Sequence, residues 1–365
     1  MSTEALKQFR QKFVRISMEQ RMNLSLGRAK EVPRPAWSSH VAQGDRVLVL
    51  GTESVNALHD VARQAGPGGA VTCLVDDLHE VPGLRERLTP QRPGEEEAGI
   101  LVGCAAGSDF SADLEWLERE LRQEPVDSLQ SLHRIKGQLA RRAAETPLVP
   151  EASVNVVLFD AASGRLSAAG DAILRETWRA LGKGGQIIID CLVSDEPLSP
   201  DDLGELRQEC AQRSIPTEEE FLSEMERAGF YGVELLNWDE SPLHLVRGVE
   251  IRKVTARAFK GKEGACYDCL HAVIYRGPWK RVHDDDGHAY RRGERTAVCE
   301  KTYRILTSGP YAGSFIPIPP YINVPLEEAR PFACQGVTRR DPGVSKGLKE
   351  AAPTGENQPP AGCGC

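Results

Sequence analysis

"VLVLGTESVNALHDVARQAGPGGAVTCLVDD", Val47–Asp77, decides the fold. An apolar run, "RVLVL", reads as a buried strand that stops at Gly51. "SVNALHDVARQA" reads as a helix, stopped by Gly66-Pro67-Gly68-Gly69. "AVTCLV" is a second strand, and it ends on Asp76 and Asp77. Strand, helix and strand in this order open a nucleotide-type binding domain, whose ligand sits where the first strand turns into the helix.

The same alternation continues downstream. "GILVGC" reads as a third strand, "VNVVLFD" as a fourth and "QIIIDCLV" as a fifth. Phe110, Leu114, Leu117 and Leu121 fall at helical spacing, as do Leu132, Ile135 and Leu139, so 109–144 read as two helices. "AILRETWRALGKGG" is a helix with a glycine stop. "PTEEEFLSEMERAGF" is a helix opened by a capping box, Thr217 with Glu220. Nearly all-apolar strands alternating with helices imply a parallel sheet covered on both faces. After about Trp238 the pattern turns to strands and turns: "GVEIRKVTARAF", "CLHAVIYRG" and "TAVCEKTYRIL". The expected organisation is a polar helical segment at 1–40, a Rossmann-like domain at 41–238, a small α+β domain at 239–330 and a disordered, cysteine-containing tail at 331–365. The tail carries 11 Gly or Pro in 35 residues, too few apolar groups to offset ordering.

The chain has 365 residues and a net charge of −8. A grip on phosphate backbones needs a basic surface, so nucleic acid is not an expected partner. No apolar run approaches the roughly 18 residues that cross a bilayer. The charged start, "MSTEALKQFRQKFVRISMEQRMN", has no signal-peptide core, and the expected location is cytoplasmic. Ten cysteines in a reducing compartment read as buried thiols or soft-ion ligands rather than disulfides.

Three stretches carry a resemblance. "AILRETWRALGKGGQIIID" is similar to the helix–Gly-Gly–strand segment of class I methyltransferases. "ECAQRSIPTEEEFLSEMERAGF" is similar to a Glu-Cys segment in which a cysteine precedes a helix ending Ala-Gly-Phe. "ACYDCLHAVIYRG" and "VCEKTYRILTSGPYAGSFIPI" are similar to a C-terminal domain. Together they make residues 45–320 resemble the arsenite methyltransferase family, which uses S-adenosylmethionine to methylate trivalent arsenic. The resemblance implies a class I methyltransferase fold, a small-molecule thiophilic substrate such as arsenite, and the cofactor at Gly51, Asp76 and Asp160. It implies Cys210 as the arsenic-binding thiol.

This chain departs from that pattern. The family's Gly-x-Gly-x-Gly turn keeps only Gly51; the next glycine positions hold Glu53 and Val55. A Cβ at both is expected to obstruct close approach of a cofactor, and Glu53 to repel its carboxylate. The cysteine after the fourth strand is replaced by Ala161, and "VPRPAWSSH" holds no cysteine. Cys191, at the carboxyl end of the fifth strand, and Cys104, after the third, are candidates to join Cys210; the alternative is that they are packing residues. Cys363 and Cys365 form a C-x-C end suited to soft ions. Cys73 reads as core. Cys266 and Cys269 form one C-x-x-C knuckle, with Cys299, His271, His283 and His288 in the same domain; zinc and plain packing both remain open. Asp284–Asp286 read as a solvated turn. Two readings follow: a divergent methyltransferase, or a methyltransferase fold that no longer methylates and binds thiophilic ions or a protein partner.

Overall fold

The computed structural model describes residues 37–52, 54–88, 97–163, 170–206, 214–334 and 339–351. The chain divides into two units. One comprises Met1–Gly229 and Leu235–Lys260, the other Phe230–Glu234 and Gly261–Cys365.

The first unit is a mixed α/β layer structure. Its strands are β1 (Arg46–Leu50), β2 (Ala70–Val75), β3 (Gly99–Ala106), β4 (Asp109–Asp113), β5 (Val154–Asp160), β6 (Leu181–Ser194), β7 (Tyr231–Trp238, of which Leu235–Trp238 fall in this unit), β8 (His244–Val246) and β9 (Val249–Phe259). Its helices are α1 (Val55–Ala65), α2 (Glu80–Leu88), α3 (Leu114–Gln123), α4 (Leu129–Glu145), α5 (Gly170–Ala180), α6 (Pro200–Leu206) and α7 (Glu218–Arg227). The sheet order is β4-β3-β2-β1-β5-β6-β9-β7, with β8 on β9. Strands β3, β2, β1, β5 and β6 are parallel. The chain winds outward from β1 through β2 to β3, then restarts on the other side at β5. That reversal between β1 and β5 is the switch point of a Rossmann-like doubly wound sheet.

The local chemistry explains the elements. Val47 to Leu50 are all buried, so β1 has no solvent face and needs no polar alternation. In α1, Leu58, Val61, Ala62 and Ala65 recur at helical spacing and pack with Val47, Val49 and Val81. Burying a side chain such as Leu58 contributes about 1.5–3 kcal/mol. Ser54 caps α1 by accepting from the Ala57 N–H at 3.3 Å. Gly66, at φ +66°, ends the helix and returns its N–H to the Ala62 carbonyl. The capping box at Thr217 and Glu220 is formed on α7.

Three sequence expectations are corrected. Residues 109–144 are not two helices only: Asp109–Asp113 form β4, antiparallel to β3, before α3 and α4. Phe110 and Ala112 alternate with polar residues, a two-residue period that the helical spacing from Leu114 onward concealed. "GVEIRKVTARAF" does not belong to a second domain. It forms β9, antiparallel to β6 from Gln186↔Phe259 to Ser194↔Ile251, and covers what would be an open sheet edge. Leu235–Lys260 accordingly group with the first unit.

The second unit holds β10 (Tyr267–Asp268), β11 (Ala272–Tyr275), β12 (Arg281–His283), β13 (Ala289–Arg291), β14 (Arg295–Ala297), α8 (Glu300–Thr307), β15 (Phe315–Ile318), β16 (Arg330–Pro331) and α9 (Pro342–Ser345). β14-β11-β15 form an antiparallel sheet, and β12 pairs with β13. Val273, Tyr275, Tyr290, Val298, Leu306 and Phe315 make its core. "TAVCEKTYRIL" is strand only to Ala297; Cys299 then caps α8.

The third correction concerns the segment after 330. β16 pairs with β10, and Arg340 makes a two-pronged ion pair with Asp268 at 2.6 and 3.2 Å, both residues buried. The Arg340 N–H also donates to the Arg295 carbonyl. Glycine and proline content misled here because the segment buries Cys334 and Val344 and also gains a buried charge pair and backbone bonds to distant strands. Residues 352–365 lie outside the described residues. Among the described residues no helix is long and apolar enough to cross a membrane.

Candidate functional site

The carboxyl ends of β2, β1 and β5 lie side by side. Leu50 is in register with Leu74 on one side and Phe159 on the other. Gly51 therefore emerges between Asp76, two residues past Leu74, and Asp160, one past Phe159. Two strand spacings separate the outer pair, about 10 Å, the width of a nucleoside.

Gly51 sits at φ +77°, and a Cβ there would lie 2.5 Å from the Asp160 carbonyl oxygen. Glycine is required by both handedness and space. Ser163, in a 3-10 turn at Ala161–Ser163, closes this corner. Its hydroxyl lies 2.7 Å from the carbonyl oxygens of both Gly51 and Asp160, which share its proton. Its N–H donates to the Asp160 carboxylate at 3.1 Å. Ser163 was not singled out from sequence; nothing local marks a serine 112 residues from its partner. Asp76 is half-buried at the β2 end, and Asp77 accepts from the His79 N–H. Asp76 and Asp77 together push the Glu80 carboxyl upward, after burial.

Val55 is the first residue of α1, and its side chain packs on the apolar cluster of β1 and α1. Glu53 lies outside the described residues. Trp37 also packs on that cluster.

The thiols of the first unit do not assemble among the described residues. Cys73 and Cys104 are buried members of the apolar cluster, and burial pushes both thiols up to about 12. Burial thus disfavours the thiolate at both positions. Cys191 stands one residue past the Asp160↔Asp190 pair, on the expected sheet edge. It is buried, and its thiol donates to the Leu192 carbonyl at 3.3 Å. Its neighbour Asp190 points to the other face, where it accepts from Thr255 at 2.6 Å and pairs with Lys253 at 2.8 Å. Cys210, Cys363 and Cys365 lie outside the described residues.

The second unit does assemble thiols, but not as the C-x-x-C spacing suggests. Cys266 joins Cys299 and Cys334, their sulfurs all within 4.8 Å of one another and all buried. Cys269 is buried but not in that group, and burial pushes its thiol up. Asp284 accepts from His288 at 2.9 Å and from Tyr290 at 2.8 Å, while Lys262 pairs with Asp286 at 3.0 Å. The acidic turn thus carries its own cations and a phenol.

Residues 262–350 match the profile of a domain of unknown function, DUF8838. No curated protein matches the chain. Among solved structures, the chain is similar to an arsenic(III) S-adenosylmethionine methyltransferase from Chlamydomonas reinhardtii, at 16% identity over 79% of this chain and 88% of that one, TM-score 0.48. It is similar to a SAM-dependent methyltransferase from Aquifex aeolicus at 15% identity over 68% and 97% of the two chains, TM-score 0.35. It is also similar to geranyl diphosphate C-methyltransferase from Streptomyces coelicolor A3(2) at 11% identity over 60% and 72%, TM-score 0.38. The fold class stands on the strand order and register themselves.

Proposed function

We propose that the first unit binds S-adenosylmethionine at its switch point and serves methyl transfer to a thiophilic acceptor, trivalent arsenic held by cysteine. The observation that carries this reading is the convergence of Gly51, Asp76 and Asp160 at the ends of three adjacent parallel strands. Asp76, half-buried, is the proposed acceptor of hydrogen bonds from ribose hydroxyls. Gly51 gives a turn without a side chain beside it. When bound, the cofactor supplies an electrophilic sulfonium methyl. Cys210 is the proposed acceptor thiol, and Cys191, past the Asp160↔Asp190 pair on β6, its proposed partner. Cys191 must release the Leu192 carbonyl to take that part. Two thiolates orient the arsenic lone pair, so the protein's contribution is alignment and exclusion of water.

A second reading, binding without methylation, is favoured by one specific contact. The Gly51 turn approaches the protein's own Asp160 carbonyl and is tied there by Ser163, so its close approach is already used. Calorimetric titration of the reduced protein with S-adenosylmethionine separates the two. The first reading expects one site per chain, weakened at least tenfold by Asp76→Ala. No heat at millimolar cofactor leaves the binding reading alone. Arsenite binding that is unchanged in Cys210→Ser removes the acceptor assignment.

A further inference from the structure

We propose that Cys266, Cys299 and Cys334 form a three-thiolate site for one soft, thiophilic ion of the zinc(II) type, with a solvent molecule as its fourth ligand. The site lies wholly within the second unit, so it is independent of the methyl-transfer reading.

Three separate stretches bring the sulfurs together. Cys266 precedes β10, and its carbonyl accepts from the Phe332 N–H at 2.9 Å, continuing the β10–β16 register. Cys334 follows two residues later. Cys299 ends the β14 segment and caps α8. The sulfurs lie within 4.8 Å of one another, and none of the three is in a disulfide. Tetrahedral zinc with bonds of about 2.3 Å needs sulfurs about 3.8 Å apart, so closure takes a movement of about an ångström at most.

Two further features suit an ion. Cap positions favour Ser, Thr, Asp or Asn, yet Cys299 holds this one, its sulfur 3.4 Å from the Thr302 N–H and 3.1 Å from the Thr302 hydroxyl. That sulfur therefore already accepts a backbone hydrogen bond at the start of α8 while facing its two partner thiols. Beside it lies a cavity of about 20 Å³, lined by Cys299, Cys334, Thr302, His288 and Phe332 among others. A water needs about 10–15 Å³, so the cavity has room for a water-sized ligand. Three thiolates and one water complete a tetrahedral shell, which places the ion chemically.

Binding of Zn(II) forms three Zn–S bonds, breaks three S–H bonds and releases three protons to solvent. Arsenite takes the same thiols differently: three As–O bonds break, three As–S bonds form, and the three thiol protons leave in three waters. Both soft species are therefore used as probes.

The test uses the full-length, reduced chain in a background of Cys210→Ser, Cys363→Ser and Cys365→Ser, so that the proposed acceptor thiols contribute nothing. Metal-free protein is titrated with Zn(II), and in a second arm with arsenite, and the ions bound per chain are counted by native mass spectrometry. One equivalent is expected in at least one arm. It should be lost in Cys299→Ser and retained in Cys269→Ser. Because Cys299→Ser can also disturb the fold, alkylation is mapped on the unsubstituted trio with and without the ion. Cys266, Cys299 and Cys334 should be protected together, at least tenfold, while Cys269 does not change with them. No bound ion in either arm, an equivalent that survives Cys299→Ser, or a disulfide within the trio in freshly purified protein overturns the proposal.

Discussion

The two units treat cysteine differently. In the parallel-sheet unit, Cys73 and Cys104 are separate members of one apolar cluster, and Cys191 is spent on a carbonyl of its own strand. In the second unit, Cys266, Cys299 and Cys334 share one small apolar cluster with Phe332. Burial is equal in the two cases; convergence is not. Parallel strands space their side chains evenly across a sheet, so two cysteines meet only if register brings them opposite. Short antiparallel pieces joined by turns bring distant stretches of chain to one point. A thiol site therefore depends on where three chain segments are pinned, and in the second unit the pin is the segment after Arg330.

The largest expected effect tests that pin. Asp268→Ala leaves the Arg340 guanidinium buried without its partner, and loss of one member of such a pair costs about 3–5 kcal/mol. Truncation after Arg330 removes Arg340 and Cys334 together. Both should lower the urea midpoint and scatter the thiol trio; an unchanged midpoint after truncation would restore the view of 331–351 as an unattached tail.

Next comes the corner of the first unit. Gly51→Ala forces a Cβ into a left-handed conformation and against the Asp160 carbonyl. The expected cost is roughly 3 kcal/mol, the upper end for one strained site. Cofactor binding should fall with it, and thiol reactivity in the second unit should not change. Loss of both would break the independence of the two regions.

A smaller effect separates the two core thiols. Cys73 already donates to the Thr52 carbonyl at 3.6 Å, so a serine hydroxyl finds an acceptor there. Cys104 sits among apolar neighbours, and a hydroxyl in that place is costlier by about 1 kcal/mol or more. Thermal melts of Cys73→Ser and Cys104→Ser check the ranking.

The smallest signal is kinetic. With its thiol at about 12, Cys104 is ionised in about one molecule in ten thousand at pH 8. Its alkylation in the folded state should be very slow and rise about tenfold per pH unit until unfolding intervenes, because only the thiolate attacks. Labelling of Cys104 at pH 8 as fast as that of a free peptide thiol would show that the β3 core opens readily.

How much was legible follows from how local each signal is. The helix α1, its glycine stop, the five parallel strands and the capping box at Thr217 were readable because each is written within a few consecutive residues. β4 was hidden because Phe110 completes a helical spacing while Ala112 completes a strand one. β9 was read as strand but placed in the wrong unit, since no local feature says that it pairs with β6. Gly51, Asp76 and Asp160 came from the family resemblance, and that they stand at three adjacent strand ends follows from the register. The tie from Ser163 was not legible, because it joins two turns far apart in sequence.

The sequence by itself determined the alternation of elements, the polarity of each strand and the need for glycine where β1 turns, because backbone handedness and apolar burial act residue by residue. Only the tertiary structure decided which cysteines meet. Cys266 of the C-x-x-C joins Cys299 and Cys334 while Cys269 does not join that group, and Cys334 arrives from the far side of β16. Contact between side chains depends on strand pairing and on the buried Asp268–Arg340 ion pair, and neither is encoded within any single stretch of the chain.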